Sequence, residues 1–152
     1  MADHIAMQIR DALVAQIATV SSLAGRVYFD ENIPLQSADL PQAQIRYEQD
    51  DAQVASLGWP SLEELAMQFA VDLLATDITD AEKIAHNLRR DVEAVLLGSV
   101  AGKTLNGKAI QIMRTGVVGT YSTIGDMRVY QLEIKLQIDV RHLESQPDSF
   151  IY

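Results

Sequence analysis

The sequence predicts an α+β fold, a two-layer sandwich in which a mixed, mostly antiparallel sheet of about five strands carries two helices on one face. Three observations lead to this prediction. A long segment near the end of the chain alternates apolar and polar side chains, as a strand with one buried face does. Two other segments repeat apolar residues every three or four positions, as amphipathic helices do. Two such helices cover one face of a sheet and leave its other face in water.

The first third of the chain predicts one helix followed by two short strands. Asp3 is expected to cap the helix, whose apolar stripe consists of Ile5, Ile9, Leu13, Ile17 and Val20. Residues 26–30 and 42–49 alternate in polarity and predict two strands. Pro34 and Pro41 delimit their connection, and since proline cannot donate to a strand ladder, this connection is predicted to be a surface loop.

The middle of the chain contains one ambiguous element between a predicted loop and a predicted helix. Residues 50–61 are acidic or small and contain the turn signal Gly58-Trp59-Pro60, so a loop is predicted there. Residues 62–75 fit both the helical and the strand period, and the preceding turn favours a strand. The capping box Thr79 to Glu82 opens a second helix, which is predicted to end at Gly98. Its apolar stripe consists of Ile84, Leu88, Val92, Val95 and Leu96.

The last third predicts two strands joined by a long connection. Residues 109–114 begin the first of these strands, and residues 115–126, which are rich in Gly, Thr and Ser, are predicted to be a loop. Residues 130–141 alternate most regularly and predict the closing strand. Residues 1–152 are expected to form a single domain, with residues 144–152 as a flexible tail.

Composition limits the classes of function. The chain has 152 residues, a hydrophobic fraction of 48% and no cysteine, so disulfides, thiol catalysis and thiolate metal sites are excluded. No apolar run reaches the ~18 residues that a membrane span requires. A net charge of −9 disfavours a phosphate-binding surface, and tight nucleic-acid binding is therefore not expected.

The sequence predicts no catalytic, cofactor-binding or metal site. Gly98 to Thr104 resembles a phosphate loop, but it has three residues between its glycines instead of four and follows a helix instead of preceding one. His4, His86 and His142 lie in separate elements without metal-ligand spacing. Solvated acidic turns are the expected role of Asp50-Asp51 and Asp30-Glu31, with a divalent cation at a subunit contact as the alternative.

Two predicted loops are candidates for an oligomer or partner interface, because loops of about twelve residues in compact domains are usually functional or disordered. The first contains Asp50, Asp51 and Trp59, whose ring either covers its own core or anchors a partner. The second contains the apolar residues Val117, Val118, Tyr121 and Ile124. Both loops are expected to be mobile in the isolated subunit and ordered in an assembly.

The order of these elements and of several short motifs resembles the bacteriophage tail terminator proteins, the minor tail protein U type of long-tailed phages. The motifs are Gly25-Arg26-Val27-Tyr28, Pro34-Leu35, Leu40-Pro41, Tyr47 and the acidic pair Asp50-Asp51. The resemblance spans roughly the whole chain, and it also places a long central strand at residues 62–75.

The resemblance implies a structural virion protein without enzymatic activity. Such a protein forms a ring, hexameric by this likeness, on the end of the tail tube, terminates tail polymerisation and provides the surface that joins the head. Its partners would be further copies of itself, the tube protein and a head-completion or connector protein. Its location would be the host cytoplasm during assembly and then the virion tail. The alternatives are another phage neck, tail or head-completion protein of similar α+β fold, or a small ligand-binding or enzymatic domain.

Overall fold

The helices and strands follow the predicted order along the chain. The computed structural model describes residues 3–29, 40–56, 61–76, 80–124, 127–143, 147–148 and 150. The elements are α1 (Ile5–Ile17), a 3₁₀ turn (Ser21–Leu23), β1 (Val27–Phe29), β2 (Gln42–Ser56), β3 (Leu62–Ala75), α2 (Ala81–Leu97), the short α3 (Val100–Lys103), β4 (Gln111–Ile124) and β5 (Met127–Leu143).

The strands form one five-stranded mixed sheet in the order β1-β2-β3-β5-β4. β1 runs parallel to β2, and the other neighbours are antiparallel. α1 packs against β1 and β2, while α2 packs against β3, β5 and β4. The face beneath these helices is called the covered face, and the opposite face, which carries Arg46, Asp72 and Glu133, is called the open face. The predicted α+β fold with helices on one face is confirmed.

Each long helix begins at a side-chain cap and buries one stripe. The cap of α1 is His4, whose Nδ1 accepts a hydrogen bond from the Ala6 amide at 3.1 Å, so the predicted Asp3 cap lies one residue too early. The cap of α2 is Asp80, whose Oδ1 accepts from the Lys83 amide at 3.0 Å. α2 ends at Gly98, where a Cβ would lie only 2.4 Å from the Ala94 carbonyl oxygen. Glycine therefore allows the chain to turn closely against the end of α2.

The strand prediction for residues 62–75 is confirmed, and the structure explains why the segment was ambiguous. β3 lies between β2 and β5 and pairs with both along its length. Its second half, from Phe69 to Ala75, is buried on both faces. A strand buried on both faces reads as a continuous apolar run, and a short run of that kind also fits a helix.

The predicted loops at residues 50–61 and 115–126 are wrong for most of their length. Asp50 to Ser56 belong to β2 and pair with β3, and Thr115 to Ile124 belong to β4, where residues 116–124 pair with β5. Residues with polar or small side chains lie in these strands because most of their side chains are exposed, so neither face of this part of the sheet has to be apolar. Residues 57–60, which include Trp59, and residues 125–126 lie outside the described residues.

The end of the described chain returns to α1. The Ile5 amide donates to the Pro147 carbonyl at 2.9 Å, and the Gln8 side-chain amide donates to the Asp148 carbonyl at 2.7 Å. The half-buried Phe150 packs against the core. The first two contacts place Pro147 and Asp148 of the predicted C-terminal tail beside the first turns of α1.

Candidate assembly surface

The open face carries a network of charges that spans three strands. Arg46 on β2 donates from Nε to Asp72 Oδ2 on β3 at 2.9 Å and from Nη2 to Glu133 Oε2 on β5 at 2.8 Å. The hydrogen bond with Asp72 is the main cause that raises the pKa of Arg46 above its usual value. Lys135 Nζ lies 3.6 Å from Glu133. Each charged side chain in this network thus lies beside a side chain of opposite charge, so these charges are paired within the subunit.

One border of the sheet is the outer edge of β4, which pairs with β5 on its other side. Residues 115–124 include neither a charged residue nor a proline, the residue types that usually protect an exposed edge from pairing with another strand. A register shift occurs between Arg114 and Gly116, and the pairing is regular from Gly116 onward. This segment is therefore a long edge with few of the features that prevent strand addition.

The apolar residues predicted for an interface lie along this edge on both faces. Val118 is on the open face and 52% exposed, and Tyr121 is on the covered face and 46% exposed. Val117 is half-buried against the core. Ile124 ends the strand, but its side chain is not described. The structure thus places all four predicted apolar residues on one strand in place of a loop.

A cluster of aromatic rings fixes the outer part of β4. The rings of Tyr121 and Tyr130 meet edge to face, with centroids 4.9 Å apart, and the Arg128 guanidinium lies 4.1 Å from the Tyr121 centroid. A Cβ at Gly119 would lie 1.9 Å from the Tyr130 hydroxyl, so the ring of Tyr130 occupies the space above this glycine. Burial is the main cause that raises the pKa of Tyr130. The aromatic cover holds this glycine-containing edge in an ordered strand.

The opposite border of the sheet has a second free edge on β2. β1 pairs with β2 only at Ala43, Gln44 and Ile45, and beyond them no described strand lies on the outer side of β2. Asp50 lies opposite the buried Met67 and Asp51 opposite Ala66, so the two side chains point to different faces. The predicted acidic turn is therefore wrong at this position, and the pair is not arranged to chelate one cation. Asp30 and Glu31 lie outside the described residues.

An aromatic pair and a shallow cavity lie beside this edge of β2. Tyr47 packs edge to face on Phe69 with centroids 5.5 Å apart, and burial, followed by the charge of Asp50, raises the pKa of Tyr47. Across the described ranges, no group of three or more His, Asp or Glu side chains is placed to hold a metal ion. Next to this edge lies a shallow cavity of about 300 Å³, lined by Met7, Arg10, Phe29, Ile45, Arg46 and Tyr47.

The segment that resembles a phosphate loop uses its backbone amides internally. The Gly102 amide donates to Ser99 Oγ at 3.0 Å, and the Lys103 amide donates to the Ser99 carbonyl at 2.9 Å. A Cβ at Gly102 would lie 2.1 Å from the Val95 carbonyl oxygen. Gly102 is thus a packing residue between α3 and α2, and these amides are not free for an anion.

The three histidines lie in different elements and make different contacts. His4 caps α1, and His86 lies on the exposed side of α2 beside the Tyr130 ring. His142 is buried on β5, with its Nε2 3.1 Å from Glu63 Oε2.

A half-buried carboxylate, that of Glu93, links α2 to β4. Glu93 Oε1 accepts hydrogen bonds from Arg89 Nε at 2.9 Å and from Arg114 Nη1 at 2.8 Å. Burial raises the pKa of Glu93, but the hydrogen bonds and charges of the two arginines lower it, and the result lies below the usual 4.5. Arg89 and Glu93 are four residues apart on α2, a spacing at which opposite charges pair on a helix, whereas the contact with Arg114 joins residues that are distant in the sequence.

This carboxylate is expected to make part of the stability depend on acid pH. Because its pKa is lower in the folded than in the unfolded chain, Glu93 stabilises the fold above about pH 4.5, and the contribution disappears as the pH falls through the lowered pKa. Glu93→Gln should cost about 1 kcal/mol at pH 7 and little at pH 3 in urea unfolding. The control Asp91→Asn removes a more exposed partner, that of Arg90, and should change stability by less than about 0.5 kcal/mol. An equal loss for Glu93→Gln at both pH values would contradict the assignment.

Comparisons with known proteins add a structural likeness. No protein-family model matches the chain, and no curated protein sequence matches it. A solved chain described as "Virion of native gene transfer agent (GTA) particle" is similar at a TM-score of 0.49 and 15% identity, covering 86% of this chain and 93% of that one. Within the described residues, no helix is long and apolar enough to cross a membrane.

Proposed function

We propose that the chain is a structural virion protein that forms a ring on the end of a phage tail tube, terminates tail polymerisation and provides the head-tail joining surface. The observation that carries the proposal is the long, uncharged outer edge of β4, with Val118 and Tyr121 exposed on its two faces. An ordered strand of this kind binds other proteins more readily than it binds small molecules. The order of elements is also the order that the tail-terminator resemblance implies.

The mechanism requires association and no covalent chemistry. A ring forms when one surface of a subunit binds a different surface of the next subunit and the rotation between them closes. Once the ring, hexameric by the resemblance, sits on the tube, it offers no further site to the tube protein and growth stops. Its other side then meets the head-completion or connector protein. On this proposal the protein is not an enzyme, and it resides in the virion tail after assembly in the host cytoplasm.

The direct test is tail length in a virus or prophage that encodes the chain. Deleting the coding sequence should give headless tubes of variable, excessive length, because nothing stops polymerisation. Supplying the chain from a plasmid should restore uniform tails joined to heads, whereas Val118→Asp, which puts a charge on the β4 edge, should restore them poorly. Tails of normal length and normal head attachment in the deletion would reject the proposal, and normal tails without heads would favour a neck or head-completion role.

The protein is expected to bind DNA weakly, even though a genome would pass through such a ring. Its net charge of −9 repels phosphates, so passing DNA would slide without being trapped. Fluorescence anisotropy with duplex DNA at low salt should show no submicromolar binding. Tight binding that weakens as salt is raised would contradict this prediction, because it would require a local basic surface.

A further inference from the structure

In the part of the chain that the structure describes, the sheet has two long edges without a neighbouring strand, and they differ in charge. The β4 edge is defined as residues 116–123, which are all uncharged, and the β2 edge as residues 47–54, which lie past the end of β1. Both are strand residues whose outer backbone groups have no described strand beside them. Such edges can add a further strand, and charges on an edge restrict which strands it can add. The two edges lie on opposite borders of one sheet, so they can serve as the two different surfaces of a head-to-tail contact.

Charge decides which edges pair. The β2 edge carries Glu48, Asp50 and Asp51, so two β2 edges repel each other. The β4 edge is uncharged and has the Arg128 guanidinium beside it, over the Tyr121 ring. The acidic β2 edge is therefore repelled less by a β4 edge than by another β2 edge, and the Arg128 guanidinium attracts it. Pairing two β4 edges would also avoid repulsion, but it would leave both β2 edges open.

We propose that the β4 edge of one copy pairs in antiparallel fashion with the β2 edge of the next copy, so that the sheets of neighbouring subunits become continuous. This inference rests on the proposed ring and specifies its interface. In the order β2-β3-β5-β4 every neighbour is antiparallel, so β4 and β2 run in opposite directions. Rotation about a ring axis preserves the sense of each strand along that axis. β4 therefore meets the neighbour's β2 in the antiparallel sense.

The positions of the two edges also fit a closed assembly. Thr120 lies opposite Gln131, and Gln131 lies opposite Leu74. Leu74 in turn lies opposite Gln42, whereas Asp50, near the centre of the β2 edge, lies eight residues further along β2. Pairing the two edges shifts neighbouring subunits by about 25 Å along the strands, at about 3.3 Å per residue. A sheet that closes on itself requires such a stagger, because its strands tilt against the axis.

Disulfide trapping tests this pairing, since the chain contains no cysteine. Val118, Thr120 and Ser122 lie on the open face of β4, and Gln49, Asp51 and Gln53 lie on the open face of β2. Single cysteine variants from each set, mixed in pairs and oxidised, should give a band of doubled mass on non-reducing gels. If the cysteine on β4 is moved two residues toward the C-terminus, the β2 cysteine that crosslinks best should move two residues toward the N-terminus, as antiparallel pairing requires. As the matched control, Thr120→Cys with Ala52→Cys should give no such band, because Ala52 points to the covered face.

Two substitutions of opposite charge at Thr120 distinguish pairing of β4 with β2 from pairing of two β4 edges. Thr120→Glu should abolish rings in light scattering, because it faces the acidic β2 edge, whereas Thr120→Lys should retain them. Loss of rings in both variants, or Thr120→Cys crosslinking mainly to itself, would indicate that two β4 edges pair and would overturn the inference. Rings that form without any crosslink between the two sets would overturn the inference but leave the proposed function intact. A chain that stays monomeric with and without tubes would reject both.

Discussion

Replacing Phe69 with alanine should lower the free energy of unfolding by about 3–5 kcal/mol, as large-to-small changes of fully buried aromatic residues do. Phe69 is 1% exposed and lies in β3, which is paired on both sides. Its ring packs beneath the helices and against the Tyr47 ring. The strands on both sides hold the backbone in place, so the structure cannot collapse to fill the cavity.

Urea unfolding followed by circular dichroism measures this loss. The matched control is Val54→Ala, which shortens a side chain that is 60% exposed on β2 and should change stability by less than about 0.5 kcal/mol. A loss below about 1 kcal/mol for Phe69→Ala would mean that this ring is not at the centre of the core, and the position of β3 in the sheet would be wrong.

Replacing Arg46 with methionine should destabilise the protein by roughly 3 kcal/mol, because it leaves a buried carboxylate without its partner. The side chain of Asp72 is 6% exposed and receives two hydrogen bonds from Arg46. The substitution also leaves the carboxylates of Glu133 and Asp72 on paired positions of neighbouring strands, with Lys135 beside Glu133. This expected loss of stability lies at the low end of the range for a buried ion pair, because Arg46 itself is partly exposed to solvent.

The double variant Arg46→Met with Asp72→Leu separates loss of packing from loss of charge pairing. Apolar residues of similar volume often replace a buried ion pair without loss, so the double variant should recover most of the stability. If the single variant unfolds at the same urea concentration as the parent, or if the double variant is less stable than the single one, the ion pair does not have the stabilising role given to it here.

The sequence carries enough information for the core elements but not for the borders of the sheet. α2 and β5 were predicted because their apolar residues repeat with one period, which burial of one face imposes. The strand at residues 50–56 and most of β4 were predicted as loops, because exposed strand residues need no apolar period and their Gly, Thr, Ser and Asp residues are typical of turns. Pairing with β3 and β5, which involves residues far away in the chain, decides their structure.

The candidate surface was found only in part for the same reason. Val118 and Tyr121 are apolar residues in a polar segment, and the structure shows both as exposed side chains on β4. The exposed outer side of β2 was not predictable from the sequence, because no described strand pairs with it beyond Ile45 and this depends on how short β1 is. The contacts of Arg46 were equally hidden, because they join side chains from three strands.

The most direct measurement of the central claim is the growth of tail tubes in vitro in the presence of the purified chain. Tube protein is polymerised, the chain is added, and electron microscopy records tube length and tube ends over time. The account predicts that elongation stops, that one end of each tube carries a closed ring, and that the Thr120→Glu variant neither forms rings nor stops growth. Tubes that keep elongating at an unchanged rate with bare ends, while the chain remains monomeric, would contradict it.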